Sequence, residues 1–238
     1  MKLSEIFSQL ASSELSQTAY VDEVTGAIKA EKYPQLVSHV NLGLMALYKR
    51  FALKEGRVLI TLQANRITYP LDTNEDVAMA VEDGDEEFDD GIIKIERIYT
   101  DSGTELAVND ASDPYSCFTS SLTTLRVPIA VVNKGPDLPE ELLTDDLTVV
   151  YRAKHPLIVV KASFNPERVN VALPYSHLEP LLWFVASRVN NPMGMTNEFH
   201  AGNSYAAKYE KACQELEVRN IQVDQGRQNT RLVANGWV

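Results

Sequence analysis

The spacing of apolar residues changes twice along this chain, and that change limits the folds open to it. From Leu3 to Phe51 apolar residues recur at helical spacing. From Arg57 to Ala172 they alternate or come in short runs, as strands require, and from Leu173 to Val223 the helical spacing returns. Helices, then strands, then helices predict an α+β fold rather than alternating βαβ units. The simplest such arrangement is an antiparallel bundle built from the N- and C-terminal helices, residues 1–55 and 173–223. An antiparallel β domain, 56–172, is inserted in it, and an extended tail, 224–238, follows it.

The last helical pair is the most strongly patterned stretch. Ser176 and Glu179 have the spacing of a Ser-x-x-Glu capping box. Leu178, Leu181, Leu182, Val185 and Val189 then share one helix face, with Trp183 beside it. Pro180 is tolerable in the first turn, and Asn190-Asn191-Pro192 ends the helix. Met193-Gly194-Met195 reads as a turn and Thr196 as the cap of the second helix. That helix's buried face is expected to be Phe199, Gly202, Ala206, Tyr209, Cys213 and Leu216, with small residues at Ala201, Ala207 and Ala212 allowing close approach. At the other end, Leu3, Ile6, Phe7, Leu10 and Leu15 mark a short amphipathic helix that Ser4 can cap, and Thr18–Ala30 is a polar connection. Pro34 opens a stronger helix whose stripe is Val37, Val40, Leu44, Leu47, Tyr48 and Phe51. Lys49, Arg50 and Lys54 suit its last turn and Gly56 is expected to stop it. Helix-to-helix packing is therefore expected from Leu44, Leu47, Phe51, Leu181, Leu182, Trp183, Val185, Tyr209 and Leu216.

Period two predicts a hairpin of Arg57–Leu62 with Arg66–Tyr69 around Gln63-Ala64-Asn65. Residues 72–90 form an acidic connection with ten carboxylates and no basic residue. Strands are expected at Ile92–Tyr99, Thr104–Val108, Leu122–Val127 and Leu147–Lys154, with weaker ones at Ile129–Val132, Leu157–Lys161 and Arg168–Ala172. Asn109–Ser121 and Lys134–Asp145 read as loops. No internal repeat is visible.

Composition excludes some functions. The net charge of -11 over 238 residues leaves no basic footprint for gripping nucleic acid by its phosphates. A surface that lets DNA slide past can be acidic. Cys117 and Cys213 form no CxxC pair, so buried free thiols are expected rather than a disulfide or a zinc site. No apolar run reaches membrane-spanning length, and the N-terminus lacks the order of a signal peptide. A reducing, aqueous compartment and no membrane partner are expected.

Nothing in the residues orders a reaction. Asp83-Gly84-Asp85 and Asp89-Asp90-Gly91 do not fit the spacing of a calcium loop, so the 72–90 run reads as solvated. His39, His155, His177 and His200 include no i, i+4 pair on a helix and read as structural or surface residues. There is no GxSxG, P-loop or GxGxxG motif. A non-enzymatic protein with no cofactor or metal is expected. In the tail, Arg227 and Arg231 stand on an otherwise acidic chain, with Leu232, Trp237 and Val238 following. Trp237 either ends an idle tail or, with the arginines, anchors a segment that orders on a partner.

The helix Tyr33–Phe51 (YPQLVSHVNLGLMALYKRF) is similar to the early helix of tailed-phage structural proteins. Leu173–Val189 (LPYSHLEPLLWFVASRV), with a following helix that carries Tyr205-Ala206-Ala207-Lys208-Tyr209-Glu210, resembles the C-terminal helices of phage head-to-tail adaptors. These are also called connector or head completion proteins, or tail tube proteins of short-tailed phages. The resemblance implies a helical bundle around an inserted β domain and an architectural role. The implied assembly is a dodecameric ring below the portal protein that extends the DNA channel, without sequence-specific binding, and carries the tail tube or nozzle protein. The implied location is the neck of the virion, after synthesis in the host cytoplasm. The family's C-terminal segment docks on the portal, which assigns that role here to Arg227, Arg231, Leu232, Trp237 and Val238. Another tail-tube or tail-completion component, or a metal-dependent hydrolase with converging carboxylates, are the alternatives.

Overall fold

The computed structural model describes residues 1–71, 79–80, 91–190 and 197–219, without the side chains of 79–80 and 197–203. Over these residues the chain is α+β, with five α-helices and two antiparallel sheets. It divides into two compact units. One comprises residues 1–53 with the described residues from His155 onward, and the other residues 54–154. The stretch 155–172, read above with the strands, thus groups with the helices.

In the helical unit, α1 spans Leu3–Ser12 and α2 Tyr33–Arg50. Leu3, Ile6, Phe7, Leu10 and Leu15 are all buried, each contributing about 1.5–3 kcal/mol by burial. Ser4 does not cap α1. Lys2 holds the N-cap position without a side-chain bond, and the Leu3 amide instead donates to the Val169 carbonyl at 3.0 Å. Thr18–Ala30 is more ordered than its polarity suggests, because Val21 and Ile28 bridge antiparallel and both are buried. The α2 stripe from Val37 to Phe51 is buried throughout. Gly56 does not stop that helix. Phe51 already turns to extended backbone (φ -115°, ψ 143°), which puts its ring inside beside His177 with centroids 4.7 Å apart.

α4 spans Leu178–Val189 and α5 Asn197–Val218, and α4 packs against α5, α2 and α1. The capping box does not form. Tyr175–His177 is a 3-10 turn, so α4 begins too late for it, and the Ser176 hydroxyl pairs with His177 Nδ1 at 3.0 Å. On α5 the buried and half-buried stripe is Tyr205, Tyr209, Ala212, Cys213 and Leu216, while Ala206 and Ala207 face outward. Tyr209, Cys213 and Leu216 lie on the inward face as expected, and Tyr205 takes the place expected of Ala206. The 193–195 turn, the Thr196 cap and the side chains of Phe199, Ala201 and Gly202 lie outside what is described. Leu157–Lys161 and Arg168–Ala172 are not strands. Their contacts are an isolated bridge, Lys2 with Asn170, and side-chain bonds.

In the β unit, β1 (Glu55–Thr61) pairs along its whole length with β8 (Asp146–Ala153), and β8 pairs with β4 (Ile92–Thr100). β3 (Met79–Ala80), within the stretch read as the acidic connection, and β5 (Glu105–Leu106) complete the sheet in the order β3-β1-β8-β4-β5. A second sheet has the order β2 (Thr68–Pro70), β7 (Thr124–Arg126), β6 (Phe118–Ser121). The expected hairpin around Gln63-Ala64-Asn65 is therefore absent: both edges of β1 are taken by β8 and β3, so β2 joins the other sheet. Phe118–Ser121, read as loop, is a strand. Ile129–Val132, read as a strand, is the single helical turn α3: Pro128 before it supplies no ladder donor, and its carbonyl accepts the turn's bonds from the Val131 and Val132 amides at 3.0 and 3.1 Å. One apolar core, including Val58, Ile60, Tyr69, Ile98, Leu125 and Val149, is shared by both sheets.

Candidate interaction surfaces

Two aromatic layers join α4 to α5. The half-buried Trp183 stacks on Tyr205 at 5.7 Å and 20°, and Phe184 meets Tyr209 edge-on at 5.3 Å. Cations sit over these rings: Lys208 Nζ lies 4.6 Å from the Trp183 centroid, and the Arg188 guanidinium 5.1 Å from that of Phe184. The partly exposed face is thus aromatic with a positive edge, a composition common at protein interfaces. Arg50, in the last turn of α2, grips α5. Its Nε and Nη2 donate to the two carboxylate oxygens of Glu217 at 2.7 and 3.1 Å, and Nη1 donates to Glu210 at 2.8 Å. These bonds raise the Arg50 pKa and hold both carboxyls below their ordinary range.

The titratable groups inside are structural. The Ala172 amide donates to His155 Nε2 at 3.2 Å, which leaves Nδ1 to carry the proton and donate to the Pro156 carbonyl at 2.6 Å. Tyr48 meets that imidazole edge-on at 5.6 Å and donates its hydroxyl to the Ala172 carbonyl. Burial pushes the Tyr48 phenol up to about 12. Burial pushes His177 down, and burial then Arg188 push His39 down, which keeps both neutral at neutral pH. Cys117 and Cys213 are buried free thiols, as expected. Burial, with Asp113 nearby, pushes Cys117 up to about 12, far from a reactive thiolate. Among the described residues no three His, Cys, Asp or Glu side chains are grouped to hold a metal, and no helix is long and apolar enough to cross a membrane.

Among the exposed apolar side chains, two groupings stand out, one in each unit. In the β unit a groove of about 370 Å³ is lined by Ile67, Pro114, Phe118, Pro128 and Ile129, with Arg126 at its side. Phe118 and Ile129 are exposed there. In the helical unit Leu157 and Val159 are 71% and 54% exposed while Ile158 between them is buried. The Asn41 amide holds Ile158 from both directions, donating to its carbonyl at 2.9 Å and accepting from its N–H at 3.1 Å.

Of the residues read as packing positions, Leu44, Leu47, Phe51, Leu181, Leu182, Val185 and Leu216 are buried, and Trp183 and Tyr209 are half-buried between α4 and α5. The tail residues Arg227, Arg231, Leu232, Trp237 and Val238 lie outside the described residues, as do the carboxylates of the acidic run. Neither surface patch was singled out from sequence. Leu157-Ile158-Val159 did carry a signal, an apolar run bracketed by Pro156 and Lys161. The groove carried none, because its lining comes from segments far apart in the chain. No family model and no curated protein matches this sequence.

Proposed function

We propose that the chain is a structural virion protein, a head-to-tail adaptor that forms a dodecameric ring below the portal, extends the DNA channel and attaches the tail. In this reading the N- and C-terminal helices form an antiparallel bundle, the β unit is its insertion, and 224–238 is an extended tail that docks on the portal through Arg227, Arg231, Leu232, Trp237 and Val238. The observation that carries the reading is the presence of two unlike apolar surfaces on two separately organised units: the Phe118–Ile129 groove and the Leu157–Val159 edge. A ring is built from heterologous contacts, which need two different faces on each subunit. The net charge of -11 supports a conduit that repels DNA rather than binding it.

Co-sedimentation with the portal protein encoded nearby tests the reading, comparing the full chain with one ending at Val223. Binding by the full chain alone supports a tail-held adaptor. Equal binding by both keeps the adaptor and removes the role of the tail. Binding by neither, with rings of the free chain in electron micrographs, replaces the adaptor with a tail-tube component.

A further inference from the structure

The Leu157–Val159 stretch is unpaired backbone held on one side by Asn41, with its other side left open. A single side-chain amide engages both the N–H and the C=O of Ile158, so the two groups project to the same side, as they do in extended backbone. The backbone groups of Leu157 and Val159 then project to the opposite side, where they have no hydrogen-bond partner among the described residues. The side chains of the same two residues are exposed. Open backbone groups beside exposed apolar side chains are what an added strand recognises.

We propose that this edge is covered by an added β-strand supplied by the subunit's own C-terminal segment, residues 220–238. Three observations select that occupant. First, α5 ends close by: Arg50 ties Glu217 to the last turn of α2, and Asn41 lies only about 13 Å back along that helix at 1.5 Å per residue. Second, residues 220–238 follow directly, and fully extended they would span up to about 65 Å, several times what is needed. Third, Val218 is 85% exposed at the root of the segment and Leu42, next to Asn41, is 52% exposed, so apolar surface continues at both ends of the path. Attachment to the same chain gives the segment an effective concentration in about the millimolar range, ahead of any strand supplied in trans. The inference does not rest on the adaptor reading. Where that reading holds, portal docking first lifts the tail from this edge and so frees it for the neighbouring subunit.

Amide hydrogen exchange on the full chain and on a chain ending at Arg219 tests it. The expected result is that the Leu157 and Val159 amides exchange about tenfold more slowly in the full chain, while the Ile158 amide, held by Asn41, is unchanged by truncation. Val159→Pro in the full chain removes one open donor at an exposed position without breaking a bond, and should release the tail amides while the α2 amides stay protected. Equal exchange of Leu157 and Val159 in both chains overturns the proposal. Protection that grows with protein concentration assigns the strand to another copy and overturns the same-subunit occupant.

Discussion

A β-carbon placed on Gly43 of α2 would stand 2.6 Å from Leu181 Cδ1 of α4, and 3.0 Å from Cδ1 of Phe184. The two helices approach this closely because the glycine has no side chain. Leu181 is fully buried and has nowhere to retreat. Gly43→Ala should gain about 1 kcal/mol of helix propensity and lose about 1–3 kcal/mol to overpacking, for a net loss read by thermal or urea unfolding. Adding Leu181→Val should recover part of that loss although it costs stability alone. Strict additivity of the two changes would show that the contact is not the cause.

In the β unit, Gly56 sits opposite Tyr151 in the β1–β8 register, and the ring lies across it. A β-carbon there would be 2.4 Å from Tyr151 Cζ. Gly56→Ala should cost about 2 kcal/mol by overpacking. In a Tyr151→Ala background the same change should be close to neutral. A loss of equal size in both backgrounds would point to backbone conformation instead.

Arg50→Lys keeps the charge but cannot make the forked contact with Glu217. The partners are substantially exposed, so the expected loss is about 1 kcal/mol or less, shrinking with added salt. Hydrogen bonds from Arg50 lower the pKa of Glu210 and Glu217 from the ordinary 4.5. A lowered carboxyl contributes stability that is present above 4.5 and lost as pH falls through the folded-state values. Urea midpoints between pH 6 and pH 3 should therefore converge for wild type and Arg50→Lys at the acid end. A constant gap would mean that packing of the Arg50 stem, not the ion pair, carries the effect.

His177 and His39 titrate below the ordinary 6.5 because they are buried, His39 also because Arg188 is near. A lowered histidine contributes stability that is complete above 6.5 and lost as pH falls toward its folded value. Melting temperature should drop between pH 7 and pH 5, and His177→Gln should flatten that slope even if it lowers stability at pH 7. An unchanged slope in the variant would assign the proton uptake elsewhere.

What could be read from sequence follows from which contacts are local. The α2 stripe from Val37 to Phe51 was legible because helix periodicity is set within a few residues. β8 was legible because it is central and its alternation is long. The partner of β1 was not, since a hairpin and a pairing to residues 146–152 satisfy the same alternation, and only the closure of the whole sheet decides between them. Ile129–Val132 was not legible as a helical turn because Ile129, Val131 and Val132 are β-branched and favour strands, and the turn is set by the preceding Pro128. Ser176 misled because a capping box presumes a helix that starts there, and a 3-10 turn intervenes. The open edge at Leu157–Val159 needed Asn41, which is distant in sequence.

The β unit begins and finishes on neighbouring strands. Glu55 faces Arg152 across the β1–β8 ladder, and the Lys54 carbonyl accepts from the Ala153 amide at 2.9 Å. Its two ends therefore meet, paired at the start of β1 and the end of β8. For the entropy of joining Leu53 to His155, all of 54–154 counts as no more than a short link once that pairing has formed. Length variation in this chain's relatives should accordingly gather between β1 and β8, leaving their pairing in place.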